Sequence, residues 1–191
     1  MRIYSFSLFE TAIGTCGIVW TSRGIAGVQI HNADERATRA SLLRRFAGAQ
    51  EAAPTAQVQR AIDGIVALLR GEPSDLSGVT IDADDLPEFN CKVYDIARTI
   101  PAGATLTYGE IAERLGDKQL AREVGQALGQ NPIPLIVPCH RVLAAGGKTG
   151  GFSAPGGVIS KLRLLTIEGA QPNGPTLFDH LPLAAKRSRR S

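Results

Sequence analysis

The sequence predicts an α+β protein in two parts: a small N-terminal α/β domain built on an antiparallel sheet, followed by a mostly helical C-terminal domain containing a helix-turn-helix. Three observations predict it. Short runs rich in Ile, Val, Phe and Trp crowd the first 30 residues. A stretch rich in Gly, Pro, Ser and Asp interrupts the chain at 71–87. Beyond it, apolar residues recur at helical spacing, and two short helices are separated by a tight turn.

The elements follow in order. Ser5–Leu8, Gly17–Thr21 and Ile25–Ile30 read as strands, with Ser22-Arg23-Gly24 as a hairpin break. Ala37 to Phe46 and Ala56 to Leu69 read as helices; the second carries Val58, Ile62, Ile65, Val66 and Leu69 on one side and is stopped by Gly71 and Pro73. Residues 1–85 are assigned to the N-terminal domain and its linker. From Phe89 to Ile100 another apolar stripe predicts a helix, broken at Pro101-Ala-Gly103. Thr107-x-x-Glu110 is a capping box for a short helix over about Tyr108 to Leu115, and a second helix runs from about Gln119 to Gly129. The apolar stretch Ile133–Val137, bounded by prolines, reads as a buried strand. Ala144 to Gly157 holds six glycines and reads as a loop, and Val158 to Glu168 as a last amphipathic helix. The second domain is placed at 86–170 and a flexible basic tail at 171–191.

Composition sets the class. The chain has 191 residues, 43% hydrophobic and 20% charged, which is ordinary for a soluble globular protein and too apolar for a disordered one. No apolar run reaches the roughly 18 to 20 residues of a membrane span. The first ten residues lack signal-peptide architecture, so a cytoplasmic location without membrane contact is expected. The net charge of +3 is uneven. Residues 1–85 carry eight Lys or Arg against ten Asp or Glu, and 86–170 carry nine against seven. The excess lies in Lys186, Arg187, Arg189 and Arg190. A nearly neutral body argues against reading nucleic-acid binding from pI alone. Three cysteines without a C-x-x-C pair argue against a disulfide framework, and with His31, His140 and His180 scattered no four-ligand zinc spacing is visible. No metal and no cofactor is expected.

Cys139-His140 is the sharpest chemical feature. A thiol reacts as its thiolate, which a nearby imidazole favours. Side chains of adjacent residues diverge, so His140 is expected to act through a water, with an orienting partner of its own. Glu168, at the end of the last helix, is the candidate. Cys16, between strands, and Cys91, within an apolar helical stripe, read as structural.

Pro138-Cys139-His140-Arg141-Val142 resembles the active-site signature of the O6-alkylguanine-DNA alkyltransferases, also called methylated-DNA–protein-cysteine methyltransferases. The resemblance spans about Phe89 to Ala170 and keeps the order of motifs: Ile100-Pro-Ala-Gly103 with Thr107-Tyr108-Gly-Glu-Ile-Ala112, then Ala121-Arg122-Glu-Val-Gly125, Asn131-Pro132, the Cys-His segment, and Lys161-x-x-Leu-Leu-x-x-Glu168-Gly169. Thr11-Ala-Ile-Gly14 and the hairpin after it match the family's N-terminal strands loosely. The resemblance implies a suicide repair protein. Such a protein binds duplex DNA through its helix-turn-helix by way of the minor groove and flips the damaged guanine out. It then moves the alkyl group from O6 to a cysteine, once per molecule.

By motif, the resemblance makes Cys139 the nucleophile and His140 its base through a water, with Glu168 holding the imidazole. Tyr108 would donate to the guanine ring as negative charge leaves with it. Arg122 would insert in place of the flipped nucleotide, on a recognition helix that also presents Ala121 and Gly125. Asn131 would brace the Cys-His turn, and main-chain groups of Val142 and Ser153 would read the guanine edge. Three departures stand out. Phe152 occupies a pocket position where many members carry Tyr, removing a phenol donor. Glu123 puts a carboxylate on the DNA face, where phosphates repel it. Cys16 and His31 are too few for the N-terminal zinc of animal members. The expected partner is double-stranded DNA containing O6-alkylguanine, met by a monomer. Two alternatives remain: a non-catalytic alkylated-base-binding protein on the same scaffold, and a cysteine hydrolase using a Cys-His-Glu set.

Overall fold

The computed structural model describes residues 3–170. Expectations for the tail at 171–191, its four basic residues and His180 lie outside the described residues. Strands β1 (Ser5–Phe9), β2 (Cys16–Thr21) and β3 (Gly24–Gln29) form an antiparallel meander, and the two-residue β4 (Gln50–Glu51) adds to β1 in parallel, giving the order β3-β2-β1-β4. Two residues join β2 to β3, as the Ser22-Arg23 break predicts. Gly24, at φ 147°, closes this turn where a Cβ would sit 2.7 Å from the Thr80 carbonyl oxygen. That close approach lets residues 80–82 run beside β3: Ile25 N–H donates to Thr80 O, and Asp82 N–H to Ile25 O. The stretch read as a linker is therefore laid against the sheet.

Helix α1 (Glu35–Arg45) starts two residues earlier than its apolar spacing suggests, because the Asp34 side chain accepts from Ala37 N–H. Thr55 caps α2 (Ala56–Leu69) in the same way through Val58 N–H. The second half holds α3 (Glu88–Arg98), α4 (Tyr108–Arg114), α5 (Ala121–Gly129) and α6 (Gly157–Ile167). The capping box that opens α4 forms as predicted, with Thr107 Oγ1 accepting from Glu110 N–H and the Glu110 carboxylate from Thr107 N–H. Helices α4 and α5 make the helix-turn-helix, and residues Lys118–Leu120 of the connection form a 3-10 turn rather than the first turn of the second helix.

One apolar core runs through both halves. Ile18, Trp20, Ile25 and Val28 of the sheet belong to the same buried cluster as Val93, Tyr94, Ile111, Val124 and Ile133. At about 25 cal/mol per Å² of buried apolar surface, a continuous core resists separation of its parts.

The stretch Ile133–Val137 is not a strand. It folds into a tight turn in which Val137 N–H donates to Ile133 O at 2.9 Å and Leu135 takes φ 73°, the one non-glycine positive φ among the described residues. Pro132, Pro134 and Pro138 have no N–H to give a ladder, so an apolar run that looks like a central strand cannot pair as one. A two-strand parallel pair was not visible in the sequence: β5 (Leu106–Thr107) pairs with β6 (Val142–Leu143), tying the start of α4 to the segment just after Cys139-His140.

Candidate active site

Cys139, His140 and Arg141 form one 3-10 turn, reached from the end of α5 through Asn131. Asn131 shapes the approach. Its Nδ2 donates to Val137 O at 2.9 Å, its Oδ1 accepts from Ile133 N–H at 2.9 Å, and its own N–H donates to Leu128 O on α5. Cys139 N–H then donates to Val137 O at 2.8 Å. Both ends of one buried amide thus fix the path into the turn, and losing the Oδ1 contact would leave the buried Ile133 N–H unpaired.

The His140 ring is fully buried, and its Nε2 lies 2.8 Å from Glu168 Oε1. Arg141 holds the same carboxylate through both oxygens, Nε to Oε2 at 2.9 Å and Nη2 to Oε1 at 2.8 Å, and its Nη1 donates to Ile100 O. Burial works to raise the Glu168 carboxyl, but His140 and Arg141 outweigh it and hold the group at about 2. Burial dominates for His140 and lowers its pKa, against the pull of Glu168. At neutral pH the site therefore contains an ionised Glu168 and a neutral imidazole. A carboxylate can only accept, so Nε2 carries the proton and Nδ1 is left as a free lone pair. Nδ1 is buried with no hydrogen-bond partner among the described residues.

Cys139 is 7% exposed. Burial raises its pKa; hydrogen bonding from Asn131 and the charge of Lys161 work against that rise. Lys161, on α6, is fully buried and donates its Nζ to Val142 O at 2.6 Å and to Gly151 O at 3.3 Å. Burial brings this ammonium down to about 8, so it is still protonated at pH 7. It also sits 5.8 Å from the centre of the Tyr108 ring. Gly150 allows that arrangement: at φ 70°, a Cβ there would come within 2.8 Å of the Tyr108 hydroxyl oxygen.

A cavity of about 530 Å³ opens on the thiol. Tyr108, Ala121, Arg122 and Gly125 line it on the helix-turn-helix side, and Phe152 and Ser153 on the glycine-loop side. Arg122 and Glu123 are exposed, at the start of α5. Lys118, a neighbour that could offset Glu123, pairs instead with Glu113 at 2.9 Å. Val142 is fully buried and does not line the cavity; its carbonyl is occupied by Lys161. Among the described residues no cluster of three or more His, Cys, Asp or Glu could hold a metal ion, and His31 Nδ1 lies 3.3 Å from Thr15 O.

A family model described as the DNA binding domain of 6-O-methylguanine DNA methyltransferase matches residues 88–170. The methylated-DNA–protein-cysteine methyltransferase of Methanothermobacter thermautotrophicus is 32% identical over 158 residues, covering 83% of this chain and 81% of that protein. The chain belongs to the methylated-DNA–protein-cysteine methyltransferase family. Among solved structures of the family, Mycobacterium tuberculosis OGT in complex with DNA superposes with a TM-score of 0.70 at 29% identity, covering 86% of this chain and 92% of that one. The O6-methylguanine-DNA methyltransferase of Pyrococcus kodakaraensis gives 0.65 at 26% identity, covering 88% and 100%.

For a member of this family, two side chains of the site escaped the reading of residues as chemistry. Arg141 stands beside the Cys-His pair, where a basic residue reads as an ordinary charge. Lys161 had a usable signal: it lies two helical turns before Glu168, on the face that carries buried Leu164 and Leu165. A lysine on an apolar helical stripe has to find acceptors or be expelled. We expect Lys161→Met, which keeps the length but removes the charge, to slow alkylation of Cys139 by iodoacetamide at pH 7.5 by about tenfold, the order expected for losing one charged partner of a thiolate. Peptide mass mapping over a time course checks this, and an unchanged rate would remove Lys161 from the account.

Proposed function

We propose that the protein repairs DNA by moving a methyl or other alkyl group from O6-alkylguanine in duplex DNA irreversibly onto its own Cys139, one transfer per molecule, with the damaged base flipped out of the stack. The observation that carries the proposal is Cys139 lining a cavity, next in the chain to a buried imidazole held by a buried carboxylate. In this reading α5 enters the minor groove, Arg122 fills the space of the extruded nucleotide, and Ala121 and Gly125 pass close to the DNA. The purine occupies the cavity beside Tyr108, Phe152 and Ser153. His140 Nδ1 takes the Cys139 proton through a water, and Glu168 keeps the imidazole in the tautomer that can do so. Lys161 stabilises the thiolate and holds the Val142 carbonyl, so that the guanine edge is left to Ser153. The Tyr108 phenol, its pKa raised by burial and by the charge of Cys139, stays protonated and donates to the departing guanine. Asn131 keeps the Cys-His turn attached to α5.

Residues 86–170 would carry DNA binding and transfer, and residues 1–85 would support them. The family match over 88–170 favours that division. We place the protein in the cytoplasm as a monomer acting on double-stranded DNA; among the described residues no helix is long and apolar enough to cross a membrane. A non-catalytic lesion binder has no use for a thiol with a base and a charged lysine arranged around it, so that alternative is not favoured. The test is stoichiometry. Incubation with duplex DNA carrying O6-methylguanine is expected to add the mass of one methylene to the Cys139 peptide, one equivalent per protein, and then stop. Catalytic turnover, or labelling of Cys91 instead, would refute the proposal.

A further inference from the structure

Cys139 forms part of the wall of two cavities. One is the space beside Tyr108 and Arg122. The other, of about 540 Å³, reaches the same cysteine from the N-terminal half of the molecule. Its walls include Gln29, Asn32, Arg44 and Arg45 from β3, α1 and the connection between them, and Pro134 and Ser153 from the second half. The residues lining it contribute two guanidinium groups and no carboxylate. Among the described residues, the hydrogen bonds of both arginines go to neutral acceptors. Arg44 Nη2 donates to Ser41 Oγ at 3.1 Å; Arg45 Nη2 donates to Pro132 O at 3.1 Å, and its Nη1 to Val28 O at 3.4 Å and Gln29 Oε1 at 3.5 Å. Burial lowers the Arg45 pKa with no anionic neighbour opposing it.

The transfer reaction gives such a groove a use. In a displacement at carbon, the attacking sulfur and the leaving oxygen lie in line through the reacting carbon, so any further substituent on that carbon projects sideways. A methyl group projects only hydrogens. A longer group needs room beside the sulfur that is not already taken by the purine, and it stays there once the thioether has formed. We propose that the second groove receives the body of the transferred alkyl group and that Arg44 and Arg45 make it selective for alkyl groups ending in an anion, of which carboxymethyl is the smallest. This inference rests on the transfer activity proposed above. The step balances without any other reactant: the sulfur–carbon bond forms, the carbon–O6 bond breaks, its electron pair leaves with guanine, and the proton given up by the thiol ends on the guanine product.

Single-turnover transfer to Cys139 from three duplex oligonucleotides tests it, carrying O6-carboxymethylguanine, its neutral isostere O6-carbamoylmethylguanine, and O6-methylguanine. The quantity read is the ratio of the carboxymethyl to the carbamoylmethyl rate within one protein, so a general effect on folding or DNA affinity cancels. We expect this ratio to fall about tenfold in Arg44→Gln/Arg45→Gln, the order of one lost charge-assisted contact. It should fall further in Arg44→Glu, a change at an exposed position. An unchanged ratio in both variants overturns the proposal. So does an equal slowing of all three substrates, which would assign the arginines to the DNA phosphates. Failure of the unmodified protein to accept even methyl would instead overturn the transfer activity itself, so the two failures are distinguishable.

Discussion

Cys139→Ala is expected to abolish alkyl transfer while leaving binding to alkylated DNA almost unchanged. The thiol is small and its Cβ is already placed by the 3-10 turn, so the truncation removes one atom and costs about 1 kcal/mol of packing. None of the groups assigned to the DNA or to the purine is touched. The other two cysteines offer no substitute. Cys16 is completely buried at the start of β2, and burial raises its pKa. Cys91 sits on α3, where partial burial and the charges of Asp95 and Glu88 raise its pKa, so its thiolate is disfavoured. Intact mass measured after exposure to the damaged duplex, with a parallel gel-shift titration, checks both halves of the expectation. A methyl group found on Cys16 or Cys91 of the variant would show that the pocket does not confine the chemistry to one sulfur.

Arg141→Met should be the most destabilising single change in the site. Its guanidinium neutralises a carboxylate that is 2% exposed and also satisfies the Ile100 carbonyl. Removing one partner of a buried pair leaves an uncompensated charge, at a cost of about 3–5 kcal/mol. Whole domains have only about 5–15 kcal/mol to lose. Adding Glu168→Gln is expected to recover much of that loss, because the neutral amide oxygen still accepts from His140 Nε2 and the uncompensated carboxylate charge is gone.

The pH dependence follows from the same pair. The Glu168 pKa is depressed from 4.5 to about 2, so its contribution to stability is complete above about pH 4.5 and is lost as pH falls toward 2. His140, whose pKa lies below 6.5, adds a loss in the same direction on acidification, since the unfolded chain takes up its proton first. Without Arg141 the carboxylate can escape its penalty by protonation, so the deficit of Arg141→Met should shrink as the pH is lowered from 7 to 4. Urea unfolding at the two pH values measures this. A deficit below about 1 kcal/mol at pH 7 would mean that water reaches and solvates Glu168 once the arginine is gone.

Much of this protein is written locally. The stripe Val58, Ile62, Ile65 and Leu69 specifies α2, and Thr107 with Glu110 specifies the start of α4, because caps and helical faces depend on residues three or four apart. The order of the short motifs around Cys139-His140 was likewise readable without coordinates, and it led to the right family. The turn at Ile133–Val137 shows where local reading fails. Its composition is that of a buried strand, but a strand needs partners, and the prolines that bound it on the page also deny it a ladder in space.

The site itself was only half legible. Cys139, His140 and the imidazole's partner Glu168 could be named from the sequence, but that Glu168 meets His140 across 28 positions, and that Lys161 reaches Val142 across 19, only the fold shows. Arg45 meets the Pro132 carbonyl across 87. The sequence alone determined which atoms can react and which helices can form, since both depend on residue type and short spacing. Tertiary structure decided the charge state of the imidazole, the burial of the lysine and arginine beside it, and the second groove at the sulfur. Burial, hydrogen bonding and electrostatic pairing are properties of positions in space, and they act between residues that no short window of sequence contains.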